Sequence, residues 1–200
     1  MTQNASKRPV LLGLIGQDIQ ASRTPEMHMR EGEAPGLRLI YRIIDLTQLS
    51  LGVEALPELL TAAQRMGFDG LNITHPCKQA VVPLLSELLP EAAALGAVNT
   101  VVLRGGKRIG HNTDCSGFAE GFQRQLPDVA LGRAVQLGAG GAGTAVAEAA
   151  MRLGIGTLTL FDMDRARAEG VAAALCARHG AGRAVAGTDL AAAMAEADGL

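Results

Sequence analysis

Two hydrophobic periods alternate along the 200-residue chain. Short apolar runs that stop at glycine or a polar cluster read as strands, and apolar positions three and four residues apart read as helices. "PVLLGLIG" (9–16), "LRLIYRIID" (37–45) and "FDGLNIT" (68–74) predict three strands. Residues 24–34 open with Thr24-Pro25 and an acid, which starts a helix, and 52–67 carry a helical apolar stripe that ends on glycine. Residues 81–96 predict helix broken by Pro83 and Pro90, and 97–113 a hairpin with Gly105-Gly106 at its tip. A connecting helix follows at 116–126. Then the texture changes: strand, glycine-rich turn and alanine-rich helix (132–154), strand (157–164), helix (165–180), strand (183–187) and helix (189–200). This alternation predicts an α/β fold with parallel sheets and crossover helices. The change of texture divides it into domains of residues 1–115 and 116–200.

Composition narrows the picture. Hydrophobic residues make up 48% and aromatic residues 2%, so the core is aliphatic. Net charge is −2 with acids and bases interspersed, and no basic stripe argues for a nucleic-acid partner. No apolar run approaches the roughly 18 residues of a membrane span, and the N-terminus lacks a signal-peptide core. Cys77, Cys115 and Cys176 are widely spaced, without disulfide or metal-ligand spacing, so free thiols, no metal and a cytoplasmic location are expected.

Candidate chemistry gathers in both halves. After the strand at 133–137, Gly138-Ala139-Gly140-Gly141-Ala142-Gly143 fits G-x-G-x-x-G between strand and helix. Its glycines suit a tight turn, close approach to a pyrophosphate, and packing of helix on strand. Asp162 follows 24 residues after Gly138, where an acid would meet a ribose 2′-hydroxyl. That carboxylate would repel a 2′-phosphate and Met163 cannot pair with one, which favours NAD. Arg165 and Arg167 keep NADP open.

In the first half, polar residues follow the strand ends: Ser22 and Thr24; Asn72, Thr74 and Lys78; Asn99 and Thr100; Asn112, Thr113 and Asp114. Ligands of open α/β sheets collect at the carboxyl ends of strands. Each residue alone also has a structural reading: Ser22 and Thr24 as caps, Asn99 as a strand-edge residue, Asn112 to Asp114 as caps of the next helix. Lys78 is the only lysine between Lys7 and Lys107 in a chain that otherwise uses arginine. Lysine can exchange a proton in acid–base chemistry, and arginine cannot.

Taken in order, "S-R-T-P-x-M-H", "N-I-T-H-P-x-K", "G-A-V-N-T", "N-T-D" and "G-A-G-G-A-G" resemble the shikimate/quinate dehydrogenase family over essentially the whole chain. The resemblance implies an N-terminal α/β substrate domain followed by a Rossmann-like dinucleotide domain. It also implies hydride transfer between a nicotinamide cofactor and a ring hydroxyl or ketone of shikimate or quinate. By the same resemblance Lys78 and Asp114 are the catalytic pair, and Ser22 and Thr24 hold the substrate carboxylate. Asn72, Thr74, Asn99 and Thr113 bind ring hydroxyls, and Gly138 to Gly143 with Asp162 hold the cofactor.

Thr24, His75, His111 and Cys115 depart from the shikimate-specific pattern and look more like the NAD-preferring branch that also accepts quinate. The family pattern runs on past residue 200, with further strands, a substrate glutamine and a returning helix. Two alternatives stay open: a ligand-sensing relative without turnover, and a dehydrogenase for an amino analogue of shikimate.

Overall fold

In the computed structural model, which describes residues 8–200, the first apolar run forms strand β1 (Val10–Gly16). Helix α1 (Thr24–Glu33) returns the chain to β2 (Leu39–Asp45), which pairs parallel with β1. A 3₁₀ turn (Val53–Ala55) and helix α2 (Leu56–Arg65) lead to β3 (Gly70–Ile73), parallel to β1 on its other side. In α2, Leu56, Leu60 and Ala63 lie on one stripe and are buried, as the helical spacing requires.

The segment 81–96 departs from the expected broken helix. Helix α3 (Cys77–Ala80) runs into a 3₁₀ turn (Val82–Leu84), and strand β4 (Glu87–Leu88) precedes helix α4 (Pro90–Leu95). Pro83 and Pro90 lack the N–H donors that a continuous helix needs, and Pro90 starts α4 instead of interrupting it. Between them the backbone bonds to a strand: Ser86 N donates to Arg108 O and Leu89 N to Gly110 O. The hairpin of β5 (Thr100–Arg104) and β6 (Lys107–His111) forms as expected, with Gly105 and Gly106 both at positive φ. β5 is antiparallel to β3, and the sheet order is β2-β1-β3-β5-β6-β4. The core is aliphatic, built on Ile15, Leu46, Leu60, Leu71, Ile73 and Val101.

The chain divides between Asn112 and Thr113 into two compact units. The second opens with α5 (Asp114–Gln125), two residues earlier than the pattern suggested. Then come β7 (Arg133–Leu137), α6 (Gly141–Leu153), β8 (Thr157–Phe161), α7 (Arg165–His179), β9 (Ala184–Ala186) and α8 (Leu190–Ala195). β7, β8 and β9 are parallel neighbours in that order. On the opposite side of β7, Gly199 bridges Ala134 in parallel, and Asp198 N donates to Arg133 O at 2.7 Å. The chain therefore leaves β7 toward one side and comes back on the other. This reversal makes the carboxyl end of β7 a topological switch point, where ligands of doubly wound sheets bind.

The interior of this unit is built from small residues, with Ala147, Ala150, Ala168 and Ala172 between the longer Leu158, Leu160 and Leu175. One buried charge ties its helices together. Glu148 of α6 is 3% exposed and meets Arg178 and His179 at the end of α7, at 2.9 and 3.1 Å. Arg152, one turn along α6, joins at 3.2 Å.

Candidate active site

The polar set of the first unit converges on the carboxyl end of β3. Thr74 N donates to Ile15 O at the end of β1, and Gln17 N donates to His75 O, so the loops after β1 and β3 are tied together. Gly16 makes this possible. A Cβ there would lie 2.3 Å from Thr74 Cγ2 and 3.0 Å from His75 O. A cis His75–Pro76 bond follows, and Cys77 N returns to Thr74 O to start α3. Lys78 thus stands in the first turn after the strand, with its backbone carbonyl accepting from Val98 N. Cys77 beside it is fully buried, and burial pushes its thiol up to about 11, so it remains neutral. Asn99 borders the same end: its carbonyl accepts from Ile73 N, and its N–H donates to His111 O.

Asn72 spends its amide on neighbours. Its Oδ1 accepts from the Tyr41 hydroxyl at 2.5 Å, and its Nδ2 donates to Thr100 Oγ1 at 3.2 Å. Thr100 Oγ1 in turn donates to Asn99 Oδ1 at 3.0 Å. This directed chain orients Asn99 from a tyrosine three strands away in the sheet. His28 of α1 stacks on the Tyr41 ring at 5.2 Å between centroids, and burial pushes the phenol up, so it stays a donor.

Ser22 and Thr24 pair with each other and do not cap α1, whose N-cap is Arg23. Thr24 N donates to Ser22 Oγ at 3.2 Å, and the two hydroxyls lie 3.0 Å apart. The loop that carries them is organised by Asp45, a buried carboxylate at the end of β2. It accepts from Asp18 N, Ile19 N, Thr47 N and Gln20 Nε2 at 3.0 to 3.1 Å. Burial alone would raise its pKa, but Gln20 and the three backbone donors outweigh burial and hold it below the usual carboxylate value. Asp18, at a left-handed φ of 54°, is fixed by one of these bonds. Asn112 is buried and donates to Ala97 O at 3.0 Å, which holds the segment leading to Asn99. Asp45 and Tyr41 were not among the sequence candidates, and Asn112, which was, holds the backbone of Ala97. The signal for Asp45 was the lone acid that closes strand β2.

Thr113 and Asp114 open the second unit. Thr113 takes the N-cap position of α5 without a side-chain cap bond, and Asp114 stands in the first turn. Cys115 is fully buried.

The glycine turn lies at the carboxyl end of β7. Gly138 has φ +96°, and a Cβ on Gly143 would come within 2.3 Å of Gly138 O, so the turn closes only with glycine there. Gly140 is different. A Cβ there meets nothing within 4 Å, so no internal packing demands glycine, and the open space suits close approach of an outside group to the backbone. The N–H groups of Gly140, Gly141, Ala142 and Gly143 are the four that an α-helix leaves without intrahelical partners, which is what a pyrophosphate needs. Asp162 follows β8. Its carboxylate accepts from Ala139 N at 2.7 Å and Asp164 N at 2.8 Å, with Arg167 3.4 Å away. These two backbone donors, helped by the arginine, lower its pKa and keep it ionised. The residues present therefore fit a dinucleotide. Arg167 is engaged by Asp162 and by Asp164 at 3.5 Å.

Comparison with known proteins follows the same lines. The profile of the shikimate dehydrogenase substrate binding domain matches residues 14–101. A shikimate dehydrogenase (NADP(+)) from Streptomyces avermitilis is 51% identical over 100% of this chain and 68% of its own length. A quinate/shikimate dehydrogenase (NAD(+)) from Corynebacterium efficiens is 54% identical over 83% of this chain and 59% of its own length. The structure of quinate dehydrogenase from Corynebacterium glutamicum in complex with NAD superposes with a TM-score of 0.81 at 47% identity, covering 90% of this chain and 64% of that one. The chain thus spans between about half and two thirds of the length of such relatives.

Proposed function

The chain belongs to the shikimate/quinate dehydrogenase family, and from that premise we propose that it serves an oxidoreductase acting on a ring hydroxyl of shikimate or quinate, with NAD preferred and NADP second. The observation that carries this reading is the convergence of Thr74, Lys78 and Asn99 on the end of β3, beside the loop that carries Ser22 and Thr24. The first unit supplies substrate recognition, and the second holds the dinucleotide.

In this reading the paired hydroxyls of Ser22 and Thr24 take the substrate carboxylate, neutral donors that recognise it without a buried countercharge. Thr74, Asn99 and Thr113 meet the ring hydroxyls, and Asn72 acts through Thr100 and Asn99. Nicotinamide supplies the hydride acceptor and donor when bound. Lys78 Nζ takes the hydroxyl proton as the alcohol carbon becomes a carbonyl, and returns it in the reverse direction. Asp114 holds the lysine and the hydroxyl in register. Asp162 takes the adenosine ribose hydroxyls, and its charge disfavours a 2′-phosphate.

The test is an assay of the full-length protein with shikimate and quinate, each with NAD and NADP, following formation of the reduced nicotinamide. Turnover with NAD is expected to exceed turnover with NADP, and Asp162→Asn is expected to narrow the ratio. Absence of turnover with all four pairs would sink the reading.

A further inference from the structure

Gln136, the one polar side chain of the β7 segment Ala134–Leu137, lies beneath the glycine turn. Its Nε2 donates to Gly138 O at 2.7 Å and to Gly143 O at 2.8 Å. One primary amide has two N–H groups, and both are used on carbonyls of the turn. Its Oε1 is buried and accepts from nothing among the described residues. Exchanging the amide's oxygen and nitrogen would set an oxygen against two carbonyl oxygens, so the orientation is fixed by chemistry. A buried acceptor without a donor is a cost that leucine, common in such strands, would avoid. The amide's benefit therefore lies in its two donors.

Those donors act on one particular peptide. The C=O and N–H of a trans peptide point in opposite directions. The Gly138–Ala139 peptide has its carbonyl held by Gln136 and its N–H held by Asp162 at 2.7 Å. It is gripped from both sides. The Gly140 carbonyl is held too: Thr144 N and Oγ1 donate to it at 2.8 and 3.0 Å. The turn is thus held at both ends, and the N–H groups of residues 140–143 lie between the two fixed peptides.

We propose that Gln136 is a positioning residue for the dinucleotide pyrophosphate: through the carbonyls of Gly138 and Gly143 it fixes the Gly138–Ala139 and Gly143–Thr144 peptides, which bracket the N–H groups of residues 140–143 that bind the phosphates. This rests on the reading of the second unit as a dinucleotide site. It also gives Asp162 a second task, since the carboxylate that meets the ribose closes the other side of the same peptide.

The experiment measures binary binding of NAD and NADP to the full-length protein by calorimetry, with Gln136→Leu and Gln136→Glu beside the wild type and melting temperatures recorded for each. Leucine keeps the size and removes both donors. Glutamate keeps the shape and places an acceptor against two carbonyls. Dissociation constants are expected to rise about tenfold with leucine, the factor that about 1.4 kcal/mol represents, and further with glutamate. Lowering the pH restores part of the glutamate loss, because a protonated carboxyl can donate once. In turnover assays the loss falls on KM for the dinucleotide and not on KM for the cyclic acid. Unchanged dinucleotide affinity in folded Gln136→Leu overturns the proposal, and that variant decides it even if the glutamate variant does not fold. A wild type that binds neither NAD nor NADP overturns it as well. A wild type that binds NAD but oxidises neither acid overturns the proposed activity and leaves this inference standing.

Discussion

The groups proposed to meet ligands differ in kind between the two units. In the first, these groups are side chains, Ser22, Thr24, Thr74, Lys78 and Asn99, held by other side chains such as Asp45, Tyr41 and Asn112. In the second they are backbone N–H groups of residues 140–143, and side chains work from behind, with Gln136 and Asp162 on one peptide and Thr144 on the Gly140 carbonyl. The difference sets how each unit fails. The first is damaged by removing atoms, and the second by adding them.

Lys78→Ala is the strongest test of the first half of that contrast. It is expected to lower kcat by about two to four orders of magnitude, the range of general acid–base catalysis, while substrate affinity changes little. Survival of kcat would mean that another group moves the proton. Gly143→Ala is the counterpart by addition. The new Cβ is placed 2.3 Å from Gly138 O, and the turn must open. Dinucleotide affinity is expected to fall by about 100-fold, the effect of displacing binding groups by about 1 Å; wild-type affinity in calorimetry would show that the turn adapts.

The buried carboxylates sharpen the comparison. Asp45 is held by uncharged donors, whereas Glu148 is held by Arg178, His179 and Arg152. Glu148→Ala leaves the two arginines without their carboxylate and is expected to destabilise the second unit by about 3 kcal/mol, the lower end for a broken buried pair because the arginines are partly exposed. Burial would raise the Glu148 pKa, but Arg178 and His179 outweigh burial and lower it below 4.5. The sign follows. Its stabilisation is fully present above that ordinary value and is lost as pH falls through the depressed folded value. Thermal melts of the wild type should drop in that acid window, and Glu148→Gln should flatten the drop. Asp45→Ala is expected to raise KM for the cyclic acid about tenfold with dinucleotide affinity unchanged, by freeing the loop of Ser22 and Thr24. Tyr41→Phe is the mildest change. It removes one donor to Asn72 and is expected to raise the same KM about fivefold, as one lost hydrogen bond of about 1 kcal/mol does.

The sequence was most legible where chemistry leaves gaps or oddities. Glycines 138, 140 and 143 between strand and helix, and a lysine after Pro76 in an arginine-rich chain, stand out without a structure. So does the order of elements, because the apolar periods of β1, α2, β3 and α6 are clean. What was hidden depends on contacts between residues far apart. Asp45 is met by the loop of residues 17–20, and no local pattern announces three donors arriving from there. Glu87–Leu88 is a strand because β6 supplies a partner, against a helical apolar spacing. Ser22 and Thr24 read equally well as caps until their pairing shows each hydroxyl engaged with the other.

Strand β1 lies between β2 and β3, bonded along both edges. Amides in such a strand exchange with solvent deuterium only when the surrounding sheet opens, so β1 belongs to the slowest-exchanging set of its unit. The loop of residues 17–22 leaves directly from its end and is tied back by Gln17, Asp18 and Ile19. The groups proposed to meet the substrate carboxylate therefore hang from the part of the sheet least given to local opening. That recognition site should persist through fluctuations that fray helix ends and edge strands, and be lost only with the unit itself.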